Sequence, residues 1–252
     1  MNKVYFIGAG PGDPDLITVK GQRIINESQV IVYAGSLVNP AVLAGAPKDA
    51  EIHDSASMAF EEVMEVLERG IKAGKKVARV HTGDPAIYGA IQEQMNWLAQ
   101  KGIHYEVVPG VSSFLAAAAA LKQEYTLPEV TQTVMVTRLE GRTPVPEKEK
   151  LASLAKHGST ICIFLSVQMI EKVVEELSQG YPLDTPIVVA QRVSWPDQKI
   201  VQGTLADIAQ KVKEEKIGKT ALIIVSPAFK NEGAMSKLYD KTFTHEYRVG
   251  KE

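Results

Sequence analysis

The chain has 252 residues, 45% hydrophobic and 23% charged, with a formal net charge of -2. That is an ordinary globular composition with room for two domains, and no like-charge block or basic stripe asks for nucleic acid. The single cysteine, Cys162, excludes an internal disulfide, no Cys/His cluster has zinc-ligand spacing, and no apolar run reaches the roughly 20 residues that span a bilayer.

Residues 4–7 are an apolar run predicted as a strand, with no signal peptide before it, so the expected compartment is the cytoplasm. The run ends in Gly8-Ala9-Gly10-Pro11-Gly12-Asp13-Pro14. Residues 15–27 are predicted as a helix because Leu16, Val19, Ile24 and Ile25 recur near helical spacing. Residues 30–33 read as a strand. A helix is expected at about 58–73, with Ser57 as its cap, Glu61 and Glu62 in its first turn and Arg69 and Lys72 in its last. The strand at 77–80 runs into His81-Thr82-Gly83-Asp84-Pro85-Ala86-Ile87-Tyr88-Gly89, where Asp84 and Pro85 are expected to start a helix over 86–101. The strand at 105–108 leads to Val108-Pro109-Gly110-Val111-Ser112-Ser113 and then to a helix over 114–121. That helix holds five consecutive alanines, Ala116 to Ala120, as a tightly packed core helix would. This alternation predicts a parallel sheet covered on both faces.

Residues 124–129, with Pro128, read as the crossing into a second half, so two domains are expected, 1–124 and 125–252. Strands are predicted at 133–137, 161–165, 187–190, 200–202 and 221–225, and helices at 147–157, 169–177 and 205–215. Between the first of these strands and the first helix lies a polar stretch, 138–146. Cys162 reads as a small core hydrophobe. The polar tail from Lys230, with Tyr239 and Phe243, is either mobile or packed on a partner subunit.

Three glycine-bearing turns, each following a strand, can meet around one ligand, because open α/β sheets bind ligands outside the carboxyl ends of their strands. That pattern points to a small-molecule enzyme. A dinucleotide fold is disfavoured: Gly8, Gly10 and Gly12 are spaced two apart, Asp13 stands where a third glycine belongs, and no acid follows strand two. Asp13 reads as a turn cap. The second turn lacks a Lys-Ser or Lys-Thr pair, so it is no P-loop. Its backbone, Asp84 and Ile87 suit an uncharged base, a ribose or a cation. Ser112 and Ser113 read as helix caps. None of the five histidines sits in a recognisable serine-hydrolase setting, so hydrolysis is not expected.

Taken together, the three turns and Leu16-Ile17-Thr18-Val19-Lys20-Gly21 resemble the tetrapyrrole methylases, the class III S-adenosylmethionine methyltransferases, over about residues 3–227. Within that family the stretch 81–90, Thr131-Gln132-Thr133, the stretch 138–146, Trp195-Pro196-Asp197-Gln198 and Ser236-Lys237-Leu238-Tyr239-Asp240 look like the precorrin-4 and cobalt-precorrin-4 C-11 group of vitamin B12 biosynthesis. The resemblance implies a two-domain α/β fold with S-adenosylmethionine in the cleft between the domains, S-adenosylhomocysteine as product, no resident metal, and a homodimer. It implies cofactor contacts at Pro11, Thr82, Gly83, Asp84, Ile87, Ser112, Ser113, Leu165 and Ala221. Asp13 is the catalytic candidate. His81, Tyr88, Arg138, Arg142, Arg192 and Trp195 are candidates for a tetrapyrrole substrate, with or without cobalt, whose carboxylates would seek cationic partners. Alternatives kept open are another tetrapyrrole methylase, such as a uroporphyrinogen III C-methyltransferase, a non-catalytic sensor of an adenosine ligand, and a dinucleotide oxidoreductase.

Overall fold

In the computed structural model, which describes residues 3–141, 143–230 and 236–251, the chain divides into two compact units. One comprises residues up to 117 together with 192–198, and the other 118–191 with the rest of the chain from 199.

The first unit is built on a five-stranded sheet of β1 (Lys3–Gly8), β2 (Val30–Tyr33), β3 (Glu51–Asp54), β4 (Val77–His81) and β5 (His104–Val108), in the order β3-β2-β4-β1-β5. Every pairing is parallel. Strands buried on both faces read as near-continuous apolar runs, as β1, β2 and β4 do. One face packs Val4, Phe6, Val32 and Val77 against α2 (Phe60–Lys72) and α3 (Gln92–Gln100) through Met64, Leu67 and Leu98. On the other, Ile7, Ile31 and Val80 meet Ile24 and Ile25 of α1 (Val19–Asn26). The expected parallel sheet, covered on both faces, is present.

Several helix boundaries differ from the sequence reading, each for a local reason. Residues 15–27 are not one helix. Asp13 caps a single 3-10 turn, Pro14–Leu16, accepting from the Asp15 N–H at 2.9 Å, and α1 starts only after Thr18 accepts from the Gly21 N–H at 3.1 Å. Val19 is therefore 88% exposed rather than part of an apolar stripe. Ser57 does not cap α2; it lies in a 3-10 turn, Ser55–Ser57, and the Glu62 carboxylate reaches back to accept from the Ala59 N–H at 2.6 Å. The helix expected over 86–101 begins at Gln92, because Tyr88 and Ala90 are left-handed, with φ of 54° and 49°. The alanine-rich α4 (Ser113–Leu121) buries only Ala116 and Ala117, with Leu115 half exposed, so it is not the tightly packed core helix expected.

The second unit carries β6 (Val134–Arg138), β7 (Thr160–Phe164), β8 (Pro186–Gln191), β9 (Lys199–Thr204) and β10 (Ala221–Val225), in the order β6-β7-β10-β8-β9. Only β6 and β7 are parallel; β10 runs antiparallel to β7 and β8, and β8 to β9. Its main core joins Ile161, Ile163, Ile187, Val189 and Ile223 to α5 (Leu151–Ala155), α6 (Ile170–Leu177) and α7 (Ile208–Glu214). Cys162 is fully buried, as a small core hydrophobe should be, and burial pushes its thiol up to about 12. Among the described residues, no helix is long and apolar enough to cross a membrane, and no group of three or more His, Cys, Asp and Glu could hold a metal.

Candidate functional site

The strand order explains why three turns distant in sequence become one site. β4, β1 and β5 are neighbours in parallel register, with Gly8 opposite His81 and Ile7 opposite Val108. All three strands release their turns at the same sheet edge. Gly10 and Gly83 then pair as an isolated bridge, the Gly83 N–H donating to the Gly10 carbonyl at 2.8 Å, while the Ala9 N–H donates to the His81 carbonyl at 2.8 Å.

The junction needs glycine because three backbones share one spot. A Cβ on Gly8 would stand 2.6 Å from the Gly83 carbonyl oxygen and 2.7 Å from the Gly110 Cα, and one on Gly110 would press into the same oxygen. Asp84 staples the second turn to the third. One carboxylate oxygen accepts from the Gly110 N–H at 2.8 Å, and the other from the Ala86 N–H at 2.8 Å. Asp84 thus ends the strand and folds back locally rather than starting a long helix. Pro11, Gly83 and Ser112 are buried, and Thr82, Asp84, Ile87 and Ser113 are half-buried.

Tyr88 follows in left-handed backbone and is 45% exposed. His81 is the reverse: it is 4% exposed, its Nε2 has no hydrogen-bond partner among the described residues, and burial beside Arg79 pulls its imidazole down to about 3. At neutral pH it is an uncharged group at the end of β4, not a cation. Arg79 is buried too, donating to the Gln94 side-chain oxygen and the Val32 carbonyl at 3.3 Å each. Desolvation draws it down to about 10, still charged at pH 7. Sequence reading missed Arg79; an arginine inside an apolar strand is the signal that could have found it.

Arg192 and Trp195 lie in the loop joining β8 to β9, which packs with the first unit. The Arg192 guanidinium stacks 3.9 Å from the Trp195 ring centroid and donates to Asp197 at 2.8 Å, so both side chains already have partners. Asp13 is half-buried, and its capping bond to the Asp15 N–H occupies one carboxylate oxygen.

In the second unit, Leu165 directly follows β7 in left-handed backbone with φ of 54° and is 69% exposed. Ala221 opens β10 and is half-buried. Arg138, at the end of β6, donates to the Thr143 and Pro144 carbonyls at 3.1 Å each. Arg142 lies outside the described residues.

Residues 3–209 match the family model of tetrapyrrole (corrin/porphyrin) methylases. The chain is 59% identical over 248 residues to a cobalt-precorrin-4 C(11)-methyltransferase of Methanocaldococcus jannaschii, covering 98% of this chain and 96% of that protein. Among solved structures it is similar to a cobalamin biosynthetic enzyme, cobalt precorrin-4 methyltransferase, with a TM-score of 0.87 and 49% identity over 90% of this chain and 95% of that one. It is also similar to a uroporphyrin-III C-methyltransferase of Thermus thermophilus in complex with S-adenosylhomocysteine, with a TM-score of 0.77 and 28% identity over 91% of this chain and 100% of that one. The chain therefore belongs to the tetrapyrrole methylases.

Proposed function

We propose that the chain transfers a methyl group from S-adenosylmethionine to C-11 of precorrin-4, or of its cobalt-bearing form, in corrin-ring biosynthesis. The observation that carries this reading is the near full-length similarity to a C-11 enzyme, at 59% identity, in a chain whose three turns form one backbone junction.

The residues present fit the cofactor. The junction is built of glycine backbone and the Asp84 carboxylate, and the three turns hold no lysine, which suits a nucleoside and a cationic centre better than a polyphosphate. S-adenosylmethionine, when bound, supplies an electrophilic sulfonium methyl. The task of the chain is then to place two reactants rather than to activate either. Pro11, Thr82, Gly83, Asp84, Ile87, Ser112 and Ser113, with Leu165 and Ala221, are the proposed cofactor contacts. Asp84 holds turns two and three together while it does so. For the substrate, exposed Tyr88 and half-buried Arg138 are the proposed contacts, with Arg142 close to Arg138 in sequence. Neutral His81 can offer a hydrogen bond but no charge. Asp13 keeps one carboxylate oxygen outside its capping bond, which leaves room for the orienting role proposed for it. The family resemblance also supports a homodimer, which light scattering on the purified chain tests directly.

The deciding experiment is mass spectrometry of methyl transfer. The purified chain is given S-adenosylmethionine with precorrin-4, with and without cobalt, and in parallel with uroporphyrinogen III. One added methyl on the precorrin-4 ring alone is the expected result, and the preferred metal state assigns the pathway branch. Methylation of uroporphyrinogen III instead would move the chain to another reaction of the same family.

A further inference from the structure

The first glycine turn is held by a loop that comes from far along the chain. The Trp195 Nε1–H donates to the Pro11 carbonyl at 3.0 Å, and the Asp13 N–H donates to the Ser194 hydroxyl at 3.0 Å. The Trp195 ring lies so close to Gly12 that a Cβ there would enter the indole. Between them, these contacts use polar backbone groups on either side of Gly12, just past the last backbone pairing of the strand, the Gly10–Gly83 bridge.

The loop is itself held in a costly shape. Arg192 and Ser194 are both left-handed, with φ of 46° and 68°, where non-glycine residues persist only when their surroundings impose it. Three contacts impose it here. Arg192 stacks on Trp195 and bonds Asp197, and the Ser194 N–H donates to the Gln198 side-chain oxygen at 2.9 Å. A strained loop whose Ser194 and Trp195 side chains both reach the turn that carries Pro11 is built to fix that turn.

We infer that Ser194 and Trp195 are positioning residues for methyl transfer, clamping the Pro11–Asp13 backbone and through it the cofactor, rather than residues that touch the tetrapyrrole. The inference rests on the reading that this turn contacts S-adenosylmethionine.

The test uses the full chain with Trp195→Phe, which keeps a ring but removes the donor, and Ser194→Gly, which removes the hydroxyl while relieving the left-handed strain. Backbone hydrogen exchange over residues 8–16, S-adenosylhomocysteine affinity by calorimetry and steady-state kinetics are read for each. Exchange in the turn should accelerate in both variants. S-adenosylhomocysteine should bind about fivefold more weakly, as expected for one lost hydrogen bond. KM for S-adenosylmethionine should rise while kcat changes by less than about twofold, the signature of lost uniform binding. Ser194→Gly should keep or raise the melting temperature while losing affinity, a split that a merely structural role would not produce. Unchanged exchange in the turn overturns the inference, as does a loosened turn with unchanged affinity, or a rise in the tetrapyrrole KM alone. A wild-type chain that binds no S-adenosylhomocysteine overturns the cofactor reading itself, and the inference with it.

Discussion

At the scale of single residues, the junction of the three turns is decided by atoms that are missing. Gly8, Gly83 and Gly110 bring three backbones within van der Waals distance, and any side chain at Gly110 meets the Gly83 carbonyl. Gly110→Ala should cost about 1–3 kcal/mol, as overpacking does. It should also weaken S-adenosylhomocysteine binding, measured by urea unfolding and calorimetry; an unchanged affinity would place the ligand elsewhere. His81 makes a second test. Its folded-state value of about 3 lies below the unfolded 6.5. The unfolded chain therefore holds the extra proton between those two values, and the His81 contribution to stability is present above pH 6.5 and lost as pH falls toward 3. Wild type should lose stability relative to His81→Gln on going from pH 7 to pH 4, and the His81 ring resonance should not titrate above pH 5. A flat difference, or a midpoint near 6.5, would sink the assignment. The burial of His81 was not legible in sequence, because a histidine at a strand end can face either solvent or the helices packed on the sheet.

At the scale of elements, periodicity located the strands except β3 and some of the helices, and capping chemistry redrew the ends. Glu62 was expected in the first turn of α2 for its charge; in the structure it also completes the cap that Ala59 cannot supply. Glu62→Ala should destabilise the chain by about 0.5–1 kcal/mol in urea unfolding, whereas Ser57→Ala should leave α2 unaffected; a larger loss at Ser57 would restore it as the cap. The shortened α3 shows why the 86–101 reading failed. Asp84 and Pro85 do resemble a helix start, but the Asp84 carboxylate is drawn to the Gly110 N–H, a partner 26 residues away. The chain then passes through left-handed Tyr88 and Ala90 before a helix can form. The local cap on the Ala86 N–H is made, but the left-handed backbone that follows stops the helix it would start.

At the scale of the whole molecule, the function makes a ligand-linked prediction. A ligand that binds only the folded chain stabilises it by mass action, about 2.7 kcal/mol at a hundredfold excess over Kd. For a chain of this size that corresponds to several degrees of melting temperature. S-adenosylhomocysteine should produce such a shift and NADH none. A shift with NADH would revive the dinucleotide reading that Asp13 and the glycine spacing argue against.

By itself the sequence determined the parallel first sheet, the three glycine turns and the family they resemble. These rest on local patterns: apolar runs of strand length, and glycines where only glycine fits. It also carried the burial of Cys162, which its apolar neighbours dictate. The tertiary structure alone decided three things. The second sheet is mostly antiparallel, because strand direction depends on which edges meet, and alternating strands and helices do not record that. The loop at 192–198 packs with the first unit, where Trp195 and Arg192 take partners that their sequence neighbourhood does not announce. And His81 is neutral, since the field around a side chain is set by what folds over it, here a buried Arg79 and the helical face above the sheet.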